Sequence, residues 1–490
     1  MLTRLRVKGF KSLWDVDVRF GPFTCIAGPN AVGKSNLFDA IQFLSRLASD
    51  NFLDAALSIR AAGDHSGNVR DLFHRWREHH KSRIFFSAEM LIPSEGTDAL
   101  GQKAEASITT VRYDLEIEYS HTGGSTGLGV IRLISEKLVP INKGQAARII
   151  RFDHSSSKWR NKVVVGGGRR ASFISTDGEV IKLHQEGSKG RPRSFSIANL
   201  PRTVLSTVNA TESPTTLLAK KEMESWKLLQ LEPAALRLPD PFLTPPGLLA
   251  NGGHLPATLY ALAHKNNLNS KVYEQISGRL SELIDDVQSI LIDRDDSRQL
   301  FILALNNRDG TRYEARSLSD GTLRFLALAT LAEDPSALGV ICMEEPENGI
   351  HPSRIPAILQ LLKAIACDPN SDVGEDNPLR QVVINTHSPS VVQLINDDDL
   401  LVAVCEQQVV EGRRFNATVF KWLSETWRAR SDESNTQPIA KGKLISYLGQ
   451  IPVNDVNDQD PTRREKRLID RTDMREIAQS LQLPIPNLAP

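Results

Sequence analysis

Gly28-Pro29-Asn30-Ala31-Val32-Gly33-Lys34-Ser35 sets two glycines, a lysine and a hydroxyl at the spacing G-x-x-x-x-G-K-[ST]. At that spacing the backbone N–H groups and the start of a following helix form an anion nest. The glycines let the main chain turn close to a phosphate, the lysine reaches the outer phosphates and the hydroxyl binds Mg²⁺. The flanking residues supply the elements such a loop needs. Phe23–Ala27 is a short apolar strand pattern, and residues 36–47 carry Leu37, Ala40, Ile41, Leu44 and Leu47 at the spacing of one helix face. The stretch is therefore expected to bind a nucleoside triphosphate with Mg²⁺.

A second group of chemical residues lies in the C-terminal half. Leu318-Ser319-Asp320-Gly321-Thr322 opens an apolar helical pattern over 323–331, and a Ser and a Gly there form either an anion-binding helix end or a simple N-cap. Val340-Ile341-Cys342-Met343 is an apolar strand pattern running into Glu344-Glu345, then Pro346-Glu347-Asn348-Gly349-Ile350-His351-Pro352. Two acids at the edge of a buried strand suit Mg²⁺ binding and water activation, and the other reading is an exposed acidic turn. Val382-Val383-Ile384-Asn385 reads as a further strand ending in Thr386-His387-Ser388-Pro389. A histidine there lies on the ligand face of an open α/β sheet or is an ordinary turn residue.

The elements that must position these residues are legible in outline. Residues 5–20 read as two strands joined at 8–12, leading into the loop strand. Period-two alternation recurs at 111–119, 130–139, 148–152, 161–165 and 178–182, an antiparallel β lobe. A helical pattern dominates 217–292, broken by the Pro-rich 236–247, and no heptad run suggests a long coiled coil. The resulting expectation is an α/β fold with an N-terminal lobe at 1–107, a β lobe at 108–202, a helical insertion at 203–300, a C-terminal lobe at 301–425 and an extension at 426–490.

Charge and cysteine usage narrow the partners. Lys+Arg and Asp+Glu balance at 59 each, so contact with nucleic acid must come from a local patch. Residues 148–202 carry such an excess of cations with aromatics between them, a candidate surface for DNA, RNA or an acidic protein, or else a solvated loop-rich insertion. Asp71, His74 and Glu78 would share a helix face, as metal ligands or as ion-pair partners of the neighbouring arginines. Cys25, Cys342, Cys367 and Cys405 show no C-x-x-C spacing and read as reduced, buried thiols. No apolar run approaches the roughly 18 residues of a membrane span and the start lacks an apolar leader pattern, so a cytoplasmic protein without membrane contact is expected.

The order of loop, S-x-G helix, Glu-Glu strand and His strand, preceded by a basic "GFKSL" hairpin, resembles the RecF/SMC-like ABC-type ATPases. It is most similar to the "AAA domain" proteins related to OLD-family enzymes, whose cores carry "LSDGT", "EEPE…HP" and "THSP" as here. The resemblance implies an ABC-type P-loop ATPase head. In it Gly28, Asn30, Gly33, Lys34, Ser35 and Asn36 form Walker A, and Ser319 and Gly321 form the signature that caps the γ-phosphate across a dimer. Ser35 and Glu344 hold Mg²⁺, Glu345 is the general base and His387 the switch histidine, with Lys34 assisting. Glu344 stands where many such proteins have Asp, and no glutamine is identifiable as the Q-loop. The resemblance also implies a head-to-tail dimer or higher even oligomer closed by ATP.

OLD enzymes carry a C-terminal nuclease domain whose acids this chain does not reproduce. Val410-Glu411-Gly412 lacks the second acid, and Asp397-Asp398-Asp399 and Asp458-Gln459-Asp460 read as loops. The chain resembles the ATPase subunits of the two-gene antiphage systems Septu and PARIS, which implies a separately encoded effector, expected to be a nuclease. A RecF-like DNA-repair ATPase and a scaffold with a structural ATP site are the alternative readings.

Overall fold

Leu2–Phe10 and Leu13–Arg19 alternate buried and part-exposed residues, the pattern of a strand with one face on a core. They pair antiparallel across the turn at Lys11 and Ser12. The computed structural model describes residues 1–59, 68–77, 79–120, 129–186, 191–265, 269–281, 284, 286–410, 412–431 and 438–439. The first hairpin ends an eight-stranded antiparallel sheet, whose order is Arg193–Ser196, Val180–Leu183, Ile174–Asp177, Val130–Pro140, Thr110–Ser120, Arg83–Leu91, Leu2–Phe10 and Leu13–Arg19. Strands from 1–107 and from 108–202 thus share one continuous sheet.

Phe23–Ala27 is buried at all five positions, as the centre of a parallel sheet requires. Its sheet has the order Lys227–Leu229, Gly339–Glu344, Arg380–Thr386, Phe23–Ala27, Leu400–Val410 and Arg413–Lys421, and only the last pair is antiparallel. The helix Lys34–Leu47 lies between the two sheets. Its Phe43 packs against Phe10 at 6.1 Å and Phe86 at 5.8 Å between ring centroids. Burying each such ring contributes about 1.5–3 kcal/mol. On the other face of the parallel sheet, Leu255–His264, Asp320–Glu333 and Ile355–Ile365 enclose a second core with the hairpin Val287–Asp295 and Leu300–Asn307.

Several expected elements differ. Residues 148–152 and 161–165 are not strands but helical turns and loop, around Ala146–Ile149 and Asn161–Val163. Their apolar side chains Ile150, Phe152, Trp159, Val163 and Val164 turn inward to a third small core with Leu91, Cys367 and Trp427, so tertiary burial overrides the alternation. The helical reading of 217–292 fails at its end, because Val287, Ile290 and Ile292 are β-branched and pair with the apolar run 300–307. The basic stretch 148–202 is divided between those turns and three strands at one edge of the large sheet. Lys162, Lys182 and Arg193 are paired with Asp372, Asp177 and Glu212, and Lys189 lies outside the described residues.

Asp71 and His74 do not sit on one helix. A single turn, Val69–Leu72, gives way to the hairpin Arg75–Trp76 and His79–His80; Glu78 lies outside the described residues, among which no metal-binding cluster occurs. Cys405 is exposed while the other three cysteines are buried, since its side of the long strand faces outward. Asp397–Asp399 is a short turn whose acids serve the fold: Asp398 accepts the Trp427 N–H and Asp399 pairs with Lys363. Glu411 and residues 440–490, with Asp458 and Asp460, lie outside the described residues. No described helix is long and apolar enough to cross a membrane.

Candidate functional site

The central strand Phe23–Ala27 delivers the loop 28–35 to the C-terminal edge of the parallel sheet. There the strands Gly339–Glu344 and Arg380–Thr386 also end. The register fixes the neighbours: Glu344 lies beside Asn385, and Thr386 beside Ala27. Asn30, Gly33, Lys34, Ser35, Asn36, Glu344 and Glu345 line a single cavity of about 510 Å³ with Ala31, Asn348 and Asn385. A cavity of this size takes a nucleotide.

Both loop glycines are required by close packing. A Cβ on Gly28 would stand 2.5 Å from the Ala403 carbonyl oxygen. At Gly33, φ is +97° and a Cβ would overlap the Thr418 and Ser12 hydroxyls. Those hydroxyls form a network under the loop. Ser12 Oγ accepts from Asn36 Nδ2 at 2.7 Å and meets Thr418 Oγ1 at 2.6 Å, and Thr418 Oγ1 donates to the Val32 carbonyl at 2.7 Å.

Lys34 Nζ donates to the carbonyls of Gly28 at 2.7 Å and Pro29 at 2.8 Å. Burial pulls the pKa of this ammonium down, opposed by the charges of Glu345, Glu347 and Glu344. The donor set fits a Mg–nucleotide. Asn30, Lys34 and Asn36 line the cavity together with a hydroxyl residue, Ser35, and a carboxylate residue, Glu344, of the kind Mg²⁺ takes.

Glu345 is the most constrained acid of the site. Its backbone lies in the left-handed region at φ +46°, unusual for a side chain with a Cβ, and its N–H is shared between the carbonyl and side-chain oxygens of Asn385, both at 3.1 Å. Oε1 meets His387 Nδ1 at 2.7 Å and Oε2 accepts from Asn348 Nδ2 at 2.6 Å. Desolvation pushes the Glu345 pKa up, but the hydrogen bonds from Asn348 and His387 and the charges of His387 and Lys34 outweigh it and leave it below the usual carboxylate value. The group is thus an ionised, oriented carboxylate, which can accept a proton from a water held in the cavity. Arg324, on the helix Asp320–Glu333, donates to the Asn348 carbonyl at 2.6 Å and so ties that helix to the Glu345 turn.

Ser319 and Gly321 are not brought to this cavity. Ser319 caps the helix Asp320–Glu333 by accepting from the Thr322 N–H, and both residues line a separate cavity of about 310 Å³ with His351 and Arg354. Sequence reasoning passed over Asn348, Asn385, Thr386, Ser12 and Thr418. Gln230, one residue beyond the Leu229–Met343 pair, ends the strand beside the one that carries Glu344 and is not among the residues lining this cavity.

Residues 23–393 match the family described as "AAA domain, putative AbiEii toxin, Type IV TA system". A 44-residue stretch is 48% identical to an OLD nuclease of Thermus scotoductus, covering 9% of this chain and 8% of that protein. Among solved structures, the SMC head bound to the C-terminal winged-helix domain of ScpA is 14% identical, with a TM-score of 0.45 over 86% of this chain and 99% of that one. The SMC head with an extended coiled coil bound to the C-terminal domain of ScpA from Pyrococcus furiosus is 12% identical, with a TM-score of 0.44 over 86% and 96%. The family match spans both halves of the site, from the loop strand to the helix after His387, and the chain belongs to this AAA-domain family.

Proposed function

We propose that the chain is an ATP-hydrolysing switch subunit that controls a separately encoded effector, a nuclease, in defence against phage. The observation that carries the hydrolytic part is Glu345, an ionised carboxylate fixed by His387 and Asn348 at the wall of the cavity that holds the P-loop. Bound Mg–ATP would supply the phosphoryl group and neutralise its charge. Backbone N–H groups of the loop from Gly28 to Asn36, with Lys34, hold the phosphates, and Ser35 and Glu344 hold the metal. Glu345 takes the proton of the attacking water on a free lone pair of its carboxylate, and His387 keeps that carboxylate oriented.

Ser319 and Gly321 lie in a cavity apart from the P-loop, which supports a head-to-tail dimer in which each signature meets the partner's nucleotide. ATP then favours the closed dimer because its outer phosphate gains charge-assisted hydrogen bonds only there. A defence role is supported by the family's description as a putative toxin of a toxin–antitoxin system, and a separate effector by the motif resemblance to two-gene antiphage ATPases. The test is purification of tagged Glu345→Gln protein from its host with ATP, followed by mass spectrometry. A stoichiometric nuclease or toxin supports the proposal; repair proteins on gapped DNA without an effector would replace it with the RecF-like reading.

A further inference from the structure

Glu347 lies in the same turn as Glu345 and is held quite differently. The residue is only 8% exposed; Oε1 accepts the Thr386 hydroxyl proton, and Oε2 is buried without a hydrogen-bond partner. An unsatisfied buried polar atom costs about 1–3 kcal/mol, and two apolar side chains of the same shape would close this space without that cost. Stability of the fold is therefore a poor reason for an acid here.

What the contact supplies is position. Thr386 is fully buried at the end of its strand, and its carbonyl accepts the Gly28 N–H at 3.2 Å, at the foot of the P-loop. Its hydroxyl also accepts the Ser388 N–H at 2.9 Å, which closes the backbone around His387. On the other side, the Glu347 carbonyl accepts the Ile350 N–H at 3.1 Å, and the Glu345 carbonyl accepts the Asn348 N–H at 3.0 Å, so Glu347 is built into the turn that bears Glu345. One side-chain hydrogen bond thus joins the Glu345 turn, the His387 turn and the base of the phosphate loop.

We propose that Glu347 is a positioning residue for ATP hydrolysis, whose buried carboxyl locks Thr386 and thereby sets the 2.7 Å contact between His387 and Glu345. The proposal rests on the hydrolytic reading of the site. A loosened His387 leaves Glu345 misaligned toward the water while the phosphate contacts persist, so the loss falls on kcat rather than on nucleotide affinity.

The experiment measures steady-state ATPase kinetics, Kd for a fluorescent ATP analogue and Tm for Glu347→Ala, Glu347→Gln, Thr386→Val and the Glu347→Ala/Thr386→Val double variant. Thr386→Val keeps the shape of the core and covers the case in which Glu347→Ala does not fold. The expected result is a loss in kcat of about 10- to 100-fold for Thr386→Val and Glu347→Ala, with Kd within about threefold. Glu347→Gln, whose amide oxygen still accepts from Thr386, keeps kcat within about threefold, and the double variant is no slower than the slower single one. A Thr386→Val protein with normal kcat and only a lowered Tm overturns the proposal, as do multiplicative losses or a Glu347→Gln variant as slow as Glu347→Ala. Glu345→Gln run alongside separates the two levels. If it hydrolyses ATP normally, the hydrolytic reading itself fails; if it is inactive while Thr386→Val is normal, only the role of Glu347 fails.

Discussion

One carboxylate is buried in the large antiparallel sheet and another in the turn that follows a strand of the parallel sheet, and the two are treated in opposite ways. Glu136, in the strand Val130–Pro140, has both oxygens engaged: Oε1 by the Tyr113 hydroxyl at 3.1 Å and the Leu205 N–H at 2.9 Å, and Oε2 by the Val204 N–H at 2.7 Å. It fastens the 203–207 turn to the sheet as a saturated structural bolt. Glu347 has one oxygen bonded and one without a partner, two residues from the left-handed Glu345. The carboxylate in the antiparallel sheet is thus fully satisfied, whereas the turn after the strand Gly339–Glu344 retains an unsatisfied oxygen and a strained residue beside the proposed hydrolytic site.

The contrast can be broken most directly at Glu136. Glu136→Ala leaves three buried donors unpaired and should cost about 2–5 kcal/mol in urea unfolding, with the ATP affinity of the folded protein unchanged. An equal stability loss in Glu347→Ala would erase the distinction. A pH series sharpens it. Burial raises Glu136 to about 7 against the hydrogen bonds from Leu205, Val204 and Tyr113 that pull it down. Folding therefore favours the protonated form: its contribution is full below about pH 4.5 and is lost as pH rises through about 7, up to roughly 3 kcal/mol. Glu136→Gln should remove that slope between pH 5 and 8, and a slope unchanged in the variant would assign it elsewhere.

On the nucleotide side, Gly33→Ala places a methyl group against the Ser12 and Thr418 hydroxyls at a positive φ. ATP affinity should fall about 30-fold or more, roughly 2 kcal/mol, by calorimetric titration, with little change in the antiparallel sheet. Thr418→Val is the mildest probe. It removes the hydrogen bond to the Val32 carbonyl and should weaken ATP about threefold. No change in affinity would mean that the hydroxyl network does not shape the loop.

The phosphate loop, its strand and its helix were legible because their residues are contiguous and their apolar spacing is regular. The strands ending at Glu344 and Thr386 were legible for the same reason, since burial on both faces leaves near-continuous apolar runs. The rest of the site comes from distant parts of the chain. Ser12 lies in the first hairpin turn and Thr418 in the last strand of the sheet, and nothing in either local sequence marks a hydroxyl that meets its partner 406 positions away. Asn348 and Asn385 read as turn and strand-end residues, and only the shared register at Glu344 and Asn385 reveals their convergence on Glu345. The segments 148–152 and 161–165 alternate like strands, but Phe152 and Trp159 bury against Cys367 and Trp427 from a quite different part of the sequence.

The central claim, that Glu345 is the base of an ATP-hydrolysing site, is tested most directly by comparing phosphate release from wild-type and Glu345→Gln protein with Mg–ATP, alongside ATP binding by each. Binding by the variant should stay within a few-fold of wild type and its turnover should fall by at least about a hundredfold, the scale of a lost general base. Turnover at the wild-type rate with normal binding would contradict it.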